Sequence, residues 1–376
     1  MDFDLGKEER HICEQLSQLD QAELSAYMDI LRSQDIAEAR GAMLHGFSAI
    51  KGTGYVGFVF DGKGMGPAVT AVREKLATVS TPLFLSLEAG NGLLVRLLKQ
   101  YGAEKQQDQL LSALVSCKAI GSVAVIEEHG NIENNPFQSA LVKEKEKFVL
   151  SGRKWFVINA PMADWIAVAC AMEETFAFAL VPGNAHGLSI GPRLSLMGLE
   201  GTPFYSIDLN HVTVSPGQVI GPLDSPQALR QLRRWEDEIL VSASLGIMRR
   251  AYESARDHAK SHKCGGKPLV VYQEIGFKLA EMLTLLQTAQ LLAYRAAWMA
   301  KVGDREADVV LHCAKVFCAE SAEKIASGAV QILGGQGLVR GNPAEQAYRD
   351  AKYIHIAGIS TERSRMKIGD RVLEVY

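Results

Sequence analysis

The sequence has little of what marks several common function classes. Its 376 residues include only six cysteines, Cys13, Cys117, Cys170, Cys264, Cys313 and Cys318, with no C-x-x-C pair. Scattered thiols of this kind speak against a zinc framework or a disulfide scaffold and for free cysteines in a reducing compartment. No apolar run approaches the roughly 18 residues needed to cross a bilayer. There is no basic excess: 40 Lys and Arg against 43 Asp and Glu leave a formal net charge of −3. Nucleic-acid binding is therefore not expected. The densest basic stretch, Arg230 to Arg234, abuts Glu236, Asp237 and Glu238 and reads as a helix face or partner contact. The first ten residues are acidic and polar, unlike a secretory or transit leader, so a cytoplasmic protein is expected. Motifs are missing too. Without G-x-S-x-G, H-E-x-x-H, a P-loop or a strand-linked G-x-G-x-x-G, a serine hydrolase, a zinc protease, an NTPase and a Rossmann enzyme are all disfavoured.

What is present is a change of period along the chain. Residues 1–115 read as helical, with apolar spacing over Leu24 to Ala37 and Val69 to Val79. A further stripe runs through Leu93, Leu94, Leu97, Leu98 and Tyr101. The glycine-rich Lys51 to Gly66 between them reads as a plain loop. Residues 116–220 shift to short β-branched or aromatic runs: Gly121 to Ile126, Lys147 to Leu150, Trp165 to Cys170, Thr175 to Val181 and Tyr205 to Leu209. They predict a compact antiparallel β-domain. Residues 221–376 return to helix, with Ile239 to Ala259, Val271 to Val302 and Ala307 to Leu333 as long Ala- and Leu-rich segments. The last two are apolar around most of their circumference, which predicts a helical bundle buried from several sides and packed against other subunits. The class is α+β: helical domain, β-domain, four-helix bundle.

Specific segments then stand out. Gln331-Ile332-Leu333-Gly334-Gly335-Gln336-Gly337, Arg349-Asp350-Ala351-Lys352 and Ile368-Gly369 resemble the QILGGNG, YRDAK and terminal IGR motifs of the acyl-CoA dehydrogenase family. Gln273 to Met282 and Tyr294 to Trp298 match as well, and Gly152 to Asn159 resembles GQKMWITN. The resemblance covers the chain beyond about residue 60. It implies FAD, a homo- or hetero-oligomer of helical–β–helical subunits, and α,β-dehydrogenation of an acyl thioester carried on CoA or on an acyl-carrier protein. Electrons would leave to an electron-transfer flavoprotein. Asn159 to Asp164 resembles the N-A-P-x-A-D of members that act on carrier-bound substrates; a turn after a strand explains it equally well.

In most members the base lies in a YEGTSE-like motif. The matching segment here is Ile356-Ala357-Gly358-Ile359-Ser360-Thr361-Glu362, and the base position is Gly358, with Ala357 beside it in the substrate pocket. Glycine cannot accept a proton. A subset resembling isovaleryl-CoA dehydrogenase carries its base instead near the start of the first bundle helix, which matches Glu236. Two readings stand: Glu236 as relocated base, or Glu236 as one of three acids favoured by the dipole of a nearby helix N-terminus.

The flavin positions implied by the resemblance are unevenly kept. Val125 and Ile126 stand where the family's first flavin-binding strand ends, with Ile126 and Ile132 replacing hydroxyl residues. Phe156 replaces a tryptophan that shields the flavin ring, and Ile158 replaces a threonine. His262 stands where the family has a phosphate-binding arginine, and His262 or Lys263 would replace that charge only in part. Gln273, Gln331, Gly334, Gly335 and Gly337 are retained, with Ser360 for a threonine and Glu362 near the flavin. Several of these reach a neighbouring subunit's cofactor in the family. The alternative to an active flavoenzyme is a degenerate or accessory subunit of a hetero-oligomer.

Overall fold

The structure, a computed structural model, describes residues 5–19, 27, 30, 35–62, 64, 66–130 and 137–373. The first helices are α1 (Lys7–Ser17), α2 (Ile36–Gly52), α3 (Tyr55–Phe60), α4 (Pro67–Val79) and α5 (Thr81–Leu85). A π-helical turn, Ser86–Gly92, leads into α6 (Leu93–Tyr101) and α7 (Glu104–Val115). Local chemistry explains their ends. The Asp35 carboxylate accepts from the N–H groups of Ala37 and Glu38 at the start of α2, and Pro67 opens α4, where its missing N–H costs nothing. The stripe from Leu93 becomes the buried face of α6. The predicted helix over Leu24 to Ala37 falls largely outside the described residues.

The glycine-rich stretch is not a plain loop. Five of the six residues of α3 are buried apolar side chains. Their burial outweighs the flanking glycines, which serve the turns on either side: Gly54 has φ +87° and Gly62 φ +79°.

Apart from a short two-stranded ribbon (Lys263–Cys264 with Lys267–Pro268), the strands among the described residues are β1 (Gly121–Ala124), β2 (Ala140–Glu144), β3 (Lys147–Ile158), β4 (Trp165–Met172), β5 (Thr175–Pro182), β6 (Leu188–Arg193), β7 (Phe204–Val214) and β8 (Val219–Leu223). These eight form one sheet in the order β6-β7-β3-β2-β4-β5-β8, with β1 against β4. The sheet is mixed and not wholly antiparallel as predicted, because β1 and β4 run parallel, Gly121 opposite Trp165. These two strands are joined by a crossover containing the β2–β3 hairpin, which lets them run the same way. Strand β3 runs past the predicted Leu150 to Ile158, broken by bulges near Gly152 and between Lys154 and Val157.

The last third comprises α8 (Ser225–Ser261), α9 (Gln273–Lys301), α10 (Ala307–Leu333), α11 (Pro343–Ile356) and α12 (Thr361–Val372). Burial on several sides holds for α10, which buries Lys315 as well as its apolar residues. It fails for α9 within one chain: Phe277 is 71% exposed and Leu291 56%.

The R-D-A-K segment ties the sheet to the bundle. The buried Asp350 carboxylate accepts from the N–H of Leu199 at 2.6 Å and from Arg250 at 3.0 Å. Arg349 donates to the Met197 carbonyl and the Glu200 carboxylate, both at 2.7 Å. A Cβ on Gly198 would stand 2.6 Å from the backbone of Arg349, so the loop lies directly on α11. Asp350→Ala leaves a buried N–H and an arginine without their acceptor. It is expected to cost about 3 kcal/mol and to lower the melting temperature in a thermal scan; an unchanged melting temperature would show that the loop is held by other contacts.

Candidate active site

Helical domain, sheet and bundle meet around a cavity of about 440 Å³. Its walls are mostly apolar. Leu85, Ala89 and Leu93 come from the first domain, and Val123, Val125 and Ile126 from β1 and its continuation. Phe156 and Ile158 come from β3, Leu240 from α8, and Ala357 and Gly358 from the turn after α11. The polar side chains on this surface include Arg233, Glu236 and Tyr353.

Glu236 is on the wall contributed by α8, its side chain 18% exposed. One oxygen, Oε2, accepts from the buried guanidinium of Arg233. The other, Oε1, has no partner among the described residues. The helix-dipole explanation does not apply here. Helix α8 begins at Ser225, so Glu236 lies three turns inside, and the dipole's influence fades within the first turn. Tyr353 leans on Phe204, ring centroids 5.5 Å apart, and its hydroxyl makes no hydrogen bond with the described residues. Burial, then the nearby Glu236 charge, pushes the Tyr353 pKa up.

The turn at Gly358 is closely constrained. Its φ is +65°, a region that side-chain-bearing residues rarely adopt. A Cβ there would lie 2.6 Å from Asp237 Oδ1 and 2.8 Å from Leu240 Cδ1. The Gly358 N–H makes no hydrogen bond with the described residues. Next to it the Ile359 N–H donates to Asp237 Oδ1 at 3.2 Å. Lys315 donates to the same oxygen at 3.3 Å and to the Ala357 carbonyl at 2.8 Å. Asp237 and Lys315 are both fully buried. Burial pushes Asp237 up to about 6 against the pull of Lys315, and pushes Lys315 down against the pull of Asp237.

Phe156, also lining the cavity, has φ +54°, at a bulge of β3, and is 47% exposed. A bulky residue held there is strained by roughly 1–3 kcal/mol, and such strain clusters at functional sites. The bulge turns the ring out onto the cavity surface. Beside it the Trp155 indole N–H is buried without a partner.

The structure thus brings Val125, Ile126, Phe156, Ile158, Glu236, Ala357 and Gly358 to one cavity. His262, Gln273, Gln331, Gly334 and Gly335 lie away from it and are exposed on this chain. Ser360 caps α12, its Oγ accepting from the Arg363 N–H, and Glu362 is exposed in that helix's first turn. Ile132 lies outside the described residues. Sequence reasoning passed over Arg233, Tyr353, Trp155 and Lys315. Two signals were available: Arg233 precedes Glu236 by one helical turn, and Lys315 is a charge inside an otherwise apolar helical stretch. The Asn159 to Asp164 segment braces the fold: the Asp164 carboxylate accepts from the Ile120 N–H at 2.8 Å and pairs with Arg40 at 2.9 Å.

Gly358→Ala combines left-handed strain with a clash and is expected to destabilise the protein by about 3 kcal/mol. Gly303→Ala, at φ +70° with open space around it, is expected to cost only about 1 kcal/mol. Equal losses in thermal melts would mean that Asp237 does not crowd position 358.

Two family models match the chain: acyl-CoA dehydrogenase, middle domain, over residues 122–212, and acyl-CoA dehydrogenase, C-terminal domain, over residues 238–373. A 3-(aryl)acrylate reductase of Clostridium sporogenes is 29% identical over 313 residues, 82% of this chain and 83% of that protein. The butyryl-CoA dehydrogenase of Megasphaera elsdenii superposes with a TM-score of 0.85 at 22% identity, covering 99% of this chain and all of that one. A glutaryl-CoA dehydrogenase of Mycobacterium smegmatis in complex with FADH2 superposes with a TM-score of 0.87 at 18% identity, covering 98% and 95%.

Proposed function

The chain belongs to the acyl-CoA dehydrogenase family, and from that membership we propose that it carries out FAD-dependent α,β-dehydrogenation of an acyl-CoA, with Glu236 as the base. The observation that carries this reading is the free oxygen of Glu236 on an apolar cavity wall, paired with a glycine at the position where most members carry their carboxylate. The acyl chain lies against the apolar walls. Glu236 Oε1 takes the proton from the carbon next to the thioester carbonyl, and Arg233 holds Oε2 so that the other oxygen faces the substrate. The Gly358 N–H is a free donor for the thioester oxygen as negative charge builds on it. The α C–H bond gives its proton to Glu236, the β C–H bond gives up a hydride, and an enoyl thioester remains.

FAD fits the residues present. The strained Phe156 offers a ring face to a planar isoalloxazine, and the orphaned Trp155 N–H offers a donor to a polar edge. When bound, FAD accepts the hydride and carries the electron pair. Val125, Ile126 and Ile158 would line its seat, with backbone groups serving where the hydroxyls are lost. His262, Gln273, Gln331, Gly334 and Gly335 would serve the cofactor of a second subunit, with Ser360 and Glu362 near the flavin. The exposed apolar residues of α9, Phe277 and Leu291, support self-association. An electron-transfer flavoprotein is the proposed acceptor. The bracing role of Asn159 to Asp164 accounts for that segment without a carrier protein.

Anaerobic mixing of the purified, FAD-loaded protein with butyryl-CoA tests the base. Glu236→Gln is expected to bind as much FAD as the parent and to bleach it about 10³-fold more slowly. Bleaching at the parental rate would remove Glu236 from the mechanism. A parent that purifies colourless and takes up no added FAD would favour the accessory-subunit alternative.

A further inference from the structure

Glu236 and Asp237 are neighbours on α8, and a helix turns about 100° per residue. One therefore faces the cavity and the other faces α10 and the turn after α11. Asp237 Oδ1 holds the N–H of Ile359, and Lys315, reaching from α10, holds both that oxygen and the carbonyl of Ala357. The two bonded groups flank Gly358 on either side. The same oxygen occupies the space beyond its Cα, where a Cβ would come within 2.6 Å. Asp237 Oδ2 has no partner. A pair this deeply buried is a poor source of stability, because desolvation offsets most of the attraction.

We infer that Asp237 and Lys315 are positioning residues that clasp the Ala357–Ile359 turn, setting the Gly358 N–H against the substrate cavity at a fixed separation from Glu236. The clasp also excludes a carboxylate-bearing side chain at position 358, so in this chain the two base placements are mutually exclusive. The inference rests on the acyl-thioester reading of the cavity for its catalytic consequence, though not for its geometry. Glu236 is built into the same helical turn as the anchor. Any shift of α8 moves the base and the turn together, which preserves their spacing.

The variant Asp237→Ala/Lys315→Met tests it. Both charges leave together, so neither stays buried and unpaired. The loaded protein is expected to keep its fold and its FAD content, with a melting temperature lowered by the loss of partners for the Ile359 N–H and the Ala357 carbonyl. Amide hydrogen exchange in the segment spanning residues 357–360 is expected to quicken about tenfold, with exchange in the sheet unchanged. Turnover of butyryl-CoA is expected to fall about 10²-fold through kcat, with little change in KM. Unchanged exchange in that segment overturns the clasp, whatever turnover does. Quickened exchange with unchanged kcat overturns its positioning role. If the double variant does not fold, Asp237→Asn is measured instead. It keeps an acceptor for Ile359 and loses the charge that draws Lys315, and it is expected to quicken exchange in the same direction. A parent without turnover, combined with quickened exchange in the variant, sinks the proposed function and leaves the clasp standing.

Discussion

The space behind Gly358 is occupied, and most of the site follows from that. A left-handed turn pressed against Asp237 and Leu240 leaves no path for a side chain from that wall of the cavity. If a carboxylate is to meet the substrate, it must come from elsewhere, and α8 supplies one within the same helical turn that closes the first route. The charge that crowds position 358 is itself unusual. A fully buried Asp–Lys pair contributes little net stability, and it is explained more economically by the two backbone groups it holds than by the fold as a whole.

The rest of the cavity is assembled by devices of the same sort, in which a locally costly feature serves a distant geometry. Phe156 accepts a strained backbone so that a bulge can present its ring. Arg349 and Asp350 spend their hydrogen bonds on a loop of another layer, fixing Met197 and Gly198 as cavity wall. The conspicuous R-D-A-K motif is thus a brace between sheet and bundle, and Tyr353 and Gly358, which follow it in the chain, line the cavity.

The helices were legible where apolar spacing and caps agreed, as in α6 and in α10, whose ends at Ala307 and Leu333 fall where the Gly303 turn and the glycine run place them. The short α3 was hidden because its glycines were weighed by count, when five apolar residues between them decide the local structure. The mixed sheet was hidden because strand direction depends on how β1 and β4 are connected, which no local pattern records. Of the candidate site, Glu236 and Gly358 could be paired only through the resemblance to the family's two base positions. Trp155 and Tyr353 could not be found, because their surroundings come from segments far apart in the chain, whereas Arg233, one turn before Glu236, and Lys315, a charge in an apolar stretch, each left a local signal. Residues such as Gln273 and Gln331 are exposed on a single chain, and their proposed role belongs to an assembly.

The central claim is that Glu236 takes a proton from the carbon beside a thioester carbonyl, and isotope exchange isolates that step from electron transfer. The FAD-loaded protein would be held with butyryl-CoA in deuterated water without an electron acceptor, and the recovered thioester weighed by mass spectrometry. The account predicts deuterium at the α carbon with the parent protein and almost none with Glu236→Gln. Equal incorporation by the two proteins would contradict it.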